Sequence, residues 1–171
     1  LQRAQIRPTL QQMRGEGVEF VVNAHIGVNV KIGDLREDFH AIVLAVGAEQ
    51  PRDLRVPGRE LKGIYYAMEF LPQSNKVCEG DKVPNQILAT GKRVIIIGGG
   101  DTGAVCLGTS HRQGASHITQ LELMPKPPEE RAPETPWPMW PMQLRVESSH
   151  EEGGFRDWSV SSVKFSGDEN G

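Results

Sequence analysis

The feature that most constrains the fold is a glycine-rich turn between an apolar strand and a helix. Residues 92–103 read KRVIIIGGGDTG, so four β-branched residues lead into three consecutive glycines. A GxGxxG pattern has meaning for dinucleotide binding only when it follows a strand and opens a helix, as it does here. The segment predicts a strand over Arg93–Ile97, a turn over Gly98–Gly100 and a helix over Thr102–Gln113.

Each glycine of the pattern has its own expected task. Gly98 permits the tight turn, Gly100 lets a pyrophosphate approach the backbone, and Gly103 lets the helix pack closely against the strand. The phosphates would then face free N–H groups at the positive end of the helix dipole. The predicted pyrophosphate-binding residues are Gly98, Gly99, Gly100, Asp101, Thr102 and Gly103.

Charged residues beyond the next strand give conflicting indications about the dinucleotide. Glu122 lies 19 residues after Gly103, near the end of a strand predicted over His117–Leu123. A carboxylate there is typical of a ribose 2′-hydroxyl site and hence of NAD. Lys126 and Arg131 follow closely, and cations can accept a 2′-phosphate instead. We favour NADP(H), because two cations can compensate one carboxylate, and NAD remains the alternative.

The sequence contains few candidates for catalytic or metal-binding side chains. Asp101 and Thr102 are suited to capping the helix rather than to catalysis. The five histidines show no HxxxH or HExxH spacing, so we predict no metal site and name no catalytic side chain. Cys78 and Cys106 form no CxxC pair and are expected to be free, half-buried apolar residues.

Composition excludes several classes of partner. With 19 basic and 22 acidic residues and a net charge of −3, the chain has no electrostatic footprint for a nucleic acid. It has no basic run for a membrane surface and no apolar run near the ~20 residues that span a bilayer. No signal peptide is visible, so we expect a cytoplasmic protein.

The first fifty residues suggest part of another α/β unit. Ile6, Leu10 and Met13 form an apolar stripe that predicts a helix over Arg3–Glu16. Short strands are predicted at residues 18–22 and 25–30. The continuous apolar run at residues 41–48 is typical of an interior strand of a parallel sheet covered on both faces.

The remainder of the chain contains a helix, a proline-rich segment and one more expected strand. We predict a short helix over Tyr66–Asn75 and a strand over Ser159–Phe165. Pro125–Pro141 contains seven prolines and two tryptophans. We expect an ordered segment held by buried tryptophan rings, and a displayed ligand for a partner is the alternative.

The fold class predicted from these elements is α/β, with Rossmann-like dinucleotide-binding domains. Residues 1–58 would be the end of one domain and a crossing segment, and residues 59–171 an incomplete second domain. The chain begins at Leu1 without Met, and it ends in a turn after an expected strand. We therefore expect it to be a piece of a longer protein.

Several further motifs occur along the chain together with the glycine-rich segment. They are Ile96–Gly103 with Gly108–Ser110, Met124–Pro133 with Trp137 and Trp140, Pro51–Leu54 with Val56–Gly63 and Ala67–Leu71, and His150–Glu152. Taken in this order, these motifs resemble the small (beta) subunit of glutamate synthase. The resemblance extends from about residue 10 to residue 166, nearly the whole chain.

The resemblance implies a flavoprotein with two dinucleotide-binding domains, one for FAD and one for NADPH. Hydride would pass from NADPH to FAD, and electrons would pass through iron–sulfur clusters to the large (alpha) subunit for glutamate synthesis from glutamine and 2-oxoglutarate. Glu122, Lys126 and Arg131 would surround the adenosine ribose. Ala45, Val46 and Gly47 resemble a strand end that contacts FAD. Members that use NADH tend to carry an uncharged residue at the position of Lys126, which favours NADPH.

Parts of that family's pattern are missing from this sequence. They are the cysteine-rich iron–sulfur segment and first glycine fingerprint, which precede this region in the family, and the later segment that completes the flavin site. We expect an incomplete FAD site and an isolated chain that is inactive. Two alternatives stay open: a related NAD(P)H-dependent flavin and iron–sulfur reductase subunit, and a non-catalytic nucleotide-binding or docking module.

Overall fold

The computed structural model describes residues 3–48 and 50–168, and it divides into two compact units between Pro51 and Arg52. The second unit is built on a three-stranded parallel sheet. Strand β1 (Arg93–Ile97) is followed by helix α4 (Asp101–Arg112), strand β2 (His117–Glu122) and strand β3 (Phe155–Trp158). The strand order is β1-β2-β3, with Arg93 opposite His117 and Gln120 opposite Arg156. The predicted strand–turn–helix–strand unit is confirmed.

The core of this unit lies between the sheet and α4. Leu107 is fully buried, and Ile96, Cys106 and Ile118 are buried around it. Helix α3 (Ala67–Cys78), close to the predicted span, packs against α4 and brings Ala67, Phe70 and Leu71 to the same core. β-Branched residues on the strands and small residues on α4 permit this close packing.

Two elements near the end of the second unit differ from the sequence prediction. The third strand is Phe155–Trp158, whereas Ser159–Phe165 forms none, so that prediction was wrong. Ser159 adopts a positive φ of 59°, which ends the extended backbone there. A four-residue helix α5 (Ser148–Glu151), which the sequence did not predict, precedes β3 and packs on α4.

The first unit has helices but no strand among its described residues. Helix α1 (Arg3–Gly15) matches the prediction, and α2 (Ile32–Asp38) was not anticipated. Residues 18–22 and 41–48 lie outside any strand, and residues 25–30 contain only an isolated bridge between Ile26 and Val30. The three strand predictions were therefore wrong for this chain.

Exposure explains why the apolar run at 41–48 is not an interior strand. Val43, Leu44 and Val46 are 80–87% exposed, and no described residue pairs with their backbone. A strand is stabilised by ladder hydrogen bonds and by burial of its side chains, and this segment has neither within the described chain.

The proline-rich segment is also more open than predicted. Trp137 and Trp140 are 75% and 77% exposed, so the expectation of buried rings was wrong. The Arg145 guanidinium covers one face of Trp140 at 3.9 Å from its ring centre, so a cation–π contact replaces burial. In the described part of the chain, no helix has the length and apolar character needed to cross a membrane.

Candidate functional site

The glycine turn, residues 98–103, has the backbone that the sequence pattern requires. Gly98 has a φ of +124°, a region that favours glycine, and its N–H donates to Leu121 O at 2.8 Å. A Cβ built on Gly100 would meet no atom within 4 Å, so open space adjoins the backbone there. A ligand could therefore approach the turn closely at Gly100.

The start of α4 differs in one respect from the prediction. Gly100 is the N-cap residue, with no side-chain cap, so the capping role expected of Asp101 and Thr102 was wrong. The first helical bond runs from Ala104 N to Gly100 O, which leaves the N–H groups of residues 101–103 without a helical acceptor. Asp101 instead lies in the first turn, where its charge favours the helix dipole.

Gly103 lies where nothing larger fits. A Cβ there would collide with the carbonyl oxygen of Gly98 and would approach Gln120 Nε2 at 2.6 Å. The helix therefore packs tightly against the turn and β2, as the pattern indicates. Gly99 is similarly restricted, because its Cβ would collide with the Glu122 carboxylate and lie 2.9 Å from Glu122 Cβ.

Glu122 lies directly on the glycine turn. Its Oε2 accepts the N–H of Gly99 at 2.7 Å, and its Oε1 accepts the N–H of Met124 at 3.0 Å. Both carboxylate oxygens are thus held by backbone donors, and the side chain is half-buried. This arrangement fixes the carboxylate beside the turn at the carboxyl end of β2.

Behind the turn, a hydrogen-bond relay links α5 to the backbone of Gly98. Gln120, 2% exposed, donates from Nε2 to Gly98 O at 2.8 Å, and its Oε1 lies 2.9 Å from His150 Nε2. His150 Nδ1 accepts the N–H of Glu147 at 3.0 Å. Burial, followed by the charge of Arg156, lowers the pKa of His150, while Glu147 opposes this effect. The sequence prediction assigned neither Gln120 nor His150 to the site, although His150 is among the residues that carry the family resemblance.

Two cavities flank the glycine turn. The smaller one, about 290 Å³, is bounded by the turn and Glu122 on one side and by Arg145, Arg156 and Trp158 on the other. The larger one, about 970 Å³, follows β1 and the turn from residue 98 to residue 103. Gly100, Asp101, Trp140 and Arg145 line both cavities.

The two predicted phosphate-binding cations lie outside the lining of these cavities. Lys126 Nζ is 3.6 Å from Glu129 Oε1 and 5.6 Å from the ring centre of Trp158. Arg131 is exposed. The structure thus brings Glu122 to the turn, brings Lys126 to a ring that borders the smaller cavity, and leaves Arg131 away from both cavities.

The cations that do line the smaller cavity were missed by sequence reasoning. Arg156 donates to Arg145 O at 3.1 Å and lies 5.1 Å from the ring centre of Trp158, and burial lowers its pKa. Neither arginine forms an ion pair within the described chain. The alternating sequence FRDW at residues 155–158 could have indicated Arg156, because in a strand it places Arg156 and Trp158 on the same face.

The remaining predicted residues lie in the first unit. Ala45, Val46 and Gly47 are exposed, and Gly47 has a φ of +68°. In the second unit, burial raises the pKa of the Cys106 thiol to about 11, so it is protonated at neutral pH and is a poor nucleophile. Cys78 is exposed rather than half-buried, and both cysteines are free. No cluster of His, Cys, Asp or Glu in residues 3–48 and 50–168 could hold a metal ion.

Comparison with known families agrees with this geometry. Residues 4–135 match the sequence profile of the pyridine nucleotide-disulphide oxidoreductases. The chain belongs to this family. The predicted α/β class with a Rossmann-type parallel sheet is therefore confirmed for a pyridine nucleotide-disulphide oxidoreductase domain.

Curated relatives refine the comparison. The chain is 54% identical over 163 residues to the glutamate synthase [NADPH] small chain of Mycobacterium tuberculosis, covering 92% of this chain and 33% of that protein. It is 36% identical over 179 residues to the corresponding small chain of Bacillus subtilis, covering 100% and 36%. It is 42% identical over 181 residues to the glutamate synthase [NADH] of Schizosaccharomyces pombe, covering 100% and 9%. The resemblance inferred from the sequence is confirmed, and the chain spans about a third of the length of the small chains.

Proposed function

We propose that this chain supplies the pyridine-nucleotide site of a glutamate synthase small subunit. The observation that carries the proposal is the glycine turn, where Gly100 borders open space between two cavities. A dinucleotide fits this cradle, because its pyrophosphate can approach a backbone without Cβ atoms at the free N–H groups of residues 101–103. Gly98, Gly99, Gly100, Asp101, Thr102 and Gly103 would hold it.

The proposed dinucleotide is NADPH, which supplies hydride for reduction of a flavin. The chain itself binds and orients the cofactor, and we assign no catalytic side chain. The cavity of about 290 Å³ beside Glu122 suits the adenosine end, with Trp158 as a ring for the base. Arg145 and Arg156, which have no carboxylate partner among the described residues, would accept a 2′-phosphate, with Lys126 nearby.

The other assignments from the sequence stand as parts of this proposal. Residues 1–58 would belong to an FAD-binding domain, with Ala45, Val46 and Gly47 at the flavin site, and residues 59–171 to the NADPH domain. Iron–sulfur clusters would lie in another part of the whole protein, and the partner would be the large subunit. The names of the relatives, which are small chains of glutamate synthase, support this assignment.

A calorimetric titration of the 171-residue chain with NADPH and NADH tests the proposal. We expect NADPH to bind more tightly, and Arg156→Gln to weaken NADPH by about tenfold while changing NADH by less than about twofold. Lys126→Gln should have a smaller effect of the same kind, and Lys76→Gln, on an exposed lysine of α3, is the matched control. A cooperatively melting chain that binds neither nucleotide would contradict the proposal.

The exposed tryptophans favour one second function, a docking role for the proline-rich segment. Trp137, Trp140 and Met139 are more than half exposed, and aromatic residues and Met are enriched at protein interfaces. If this segment binds a partner subunit, Trp137→Ala should weaken the complex while leaving nucleotide affinity unchanged. Trp137 is the better choice for substitution, because Trp140 also lines both cavities.

A further inference from the structure

The relay behind the glycine turn is fixed by two backbone groups that cannot change roles. Gly98 O can only accept, so the amide nitrogen of Gln120 must face it, and Gln120 Oε1 must face His150. Glu147 N–H can only donate, so His150 Nδ1 must accept. His150 is therefore neutral, with its proton on Nε2 pointing at Gln120.

The position of the relay connects it to the binding turn. Gly98 begins the turn, and Gln120 Nε2 also occupies the place that a Cβ on Gly103 would need. The side chain of Gln120 is thus wedged between the start of the turn and the first turn of α4. It is buried and uses both ends of its amide, so its orientation is determined by the relay.

We propose that Gln120 and His150 are positioning residues that hold the Gly98 peptide in the orientation needed for dinucleotide binding. This inference rests on the proposed function. Gln120 lines neither cavity, whereas His150 also lines the smaller one, so substitution of Gln120 tests the relay without changing the cavity wall. Both residues act through Gly98 O, whose peptide sets the direction of the N–H groups that follow in the turn.

Protonation of His150 opposes the relay. A proton on Nδ1 would face the N–H of Glu147, placing two donors against each other. The charges that act on His150 are those of Arg156 on β3 and Glu147 before α5. Glu151 and Glu152 follow it in the chain, and helix α4, which packs on α5, carries His111 and Arg112, the latter paired with Glu152. Because the relay requires neutral His150, dinucleotide binding should weaken as the pH falls through the pKa of His150, which burial and Arg156 hold below the ordinary histidine value of about 6.5.

The experiment measures affinity against pH with ADP-ribose, which carries the pyrophosphate but no titrating 2′-phosphate. For the wild-type chain we expect weaker affinity at pH 5.5 than at pH 8, by at most about tenfold, because tenfold is the loss that an unshifted histidine pKa of about 6.5 would give and the pKa of His150 lies lower. Gln120→Met should weaken binding by about fivefold to tenfold at pH 8, because both relay hydrogen bonds of Gln120 are lost, and should remove most of the pH dependence. Gln113→Met is the matched control, since the Gln113 side-chain amide is likewise hydrogen-bonded to backbone, accepting the N–H of Ala89 at the opposite end of α4.

A second measurement is independent of ligand binding. The NMR titration of the His150 ring, assigned with His150→Asn, should give a pKa below the ordinary value of 6.5 in the wild-type chain and a shifted value in Gln120→Met. An unchanged His150 pKa in Gln120→Met would overturn the relay. Equal pH profiles for ADP-ribose in wild type and Gln120→Met would overturn the positioning role while leaving the proposed function intact. Absence of ADP-ribose and NADPH binding at every pH would overturn both.

Discussion

Two apolar segments of this chain have similar sequences but different structures. Arg93–Ile97 and residues 41–48 are both rich in β-branched and aliphatic residues, and both lead to glycine. The first is a strand with a buried Ile96, whereas the second is exposed along its length and pairs with nothing in the described chain. Apolar sequence alone therefore does not make a strand.

The difference lies in what each segment has nearby. The 25 residues that follow β1 form helix α4 and the parallel strand β2, which pairs with β1. Leu107 of α4 covers the sheet. The short crossover keeps the entropic cost of forming these contacts low. Residues 41–48 have no such neighbours in their own unit, where none of the side chains described from residue 6 to residue 48 is buried.

The largest expected contrast is in amide hydrogen exchange. Amides of β1 and β2 should exchange at least about a thousandfold more slowly than an unstructured peptide, because they open only when the core opens. Amides of residues 41–48, which have no ladder bonds, should exchange within about an order of magnitude of the peptide rate. Exchange measured by mass spectrometry at pH 7 checks this, and equal protection in both segments would contradict the comparison.

The next contrast is a pair of matched leucine truncations. Leu107→Ala empties a fully buried position and should lower the free energy of unfolding of the second unit by about 2–5 kcal/mol. Leu44→Ala removes a side chain that is 80% exposed and should change it by less than about 0.5 kcal/mol. Urea denaturation of both variants provides the measurement. A comparable loss for Leu44→Ala would indicate burial of that segment in solution.

A smaller contrast concerns two glycines, Gly103 after β1 and Gly47 near the end of residues 41–48. Gly103→Ala forces a methyl group against Gly98 O and Gln120, which should cost about 1–3 kcal/mol and weaken dinucleotide binding. Gly47→Ala meets open space, and its only penalty is a positive φ in the first unit. The second unit should therefore melt at an unchanged temperature in Gly47→Ala and at a lower one in Gly103→Ala, as calorimetry can test.

These contrasts also explain which parts of the molecule the sequence could predict. The strand–turn–helix–strand unit and Glu122 at its edge follow from local pattern and spacing, because the contacts that join β1, the turn and β2 to one another lie within 30 residues. Gln120, His150, Arg145 and Arg156 could not be found that way. Their roles depend on β3 lying beside β2, a pairing between residues 36 positions apart, as for Gln120 and Arg156. Misplacing β3 at Ser159–Phe165 removed both Arg156 and Trp158 from the predicted site.

The smallest expected effect is a dependence of the second unit's stability on pH through His150. Burial and Arg156 lower the pKa of His150 in the folded chain, so below about pH 6.5 the unfolded chain binds more protons than the folded one. The stability contributed by neutral His150 is therefore complete above pH 6.5 and is lost as the pH falls toward the lowered pKa. Urea denaturation of wild type and His150→Asn between pH 8 and pH 5 should show wild type losing stability relative to the variant over that window. A difference that is constant with pH would mean that His150 has the same pKa in the folded and the unfolded chain. The relay to Gly98 would then make no pH-dependent contribution to the stability of the second unit.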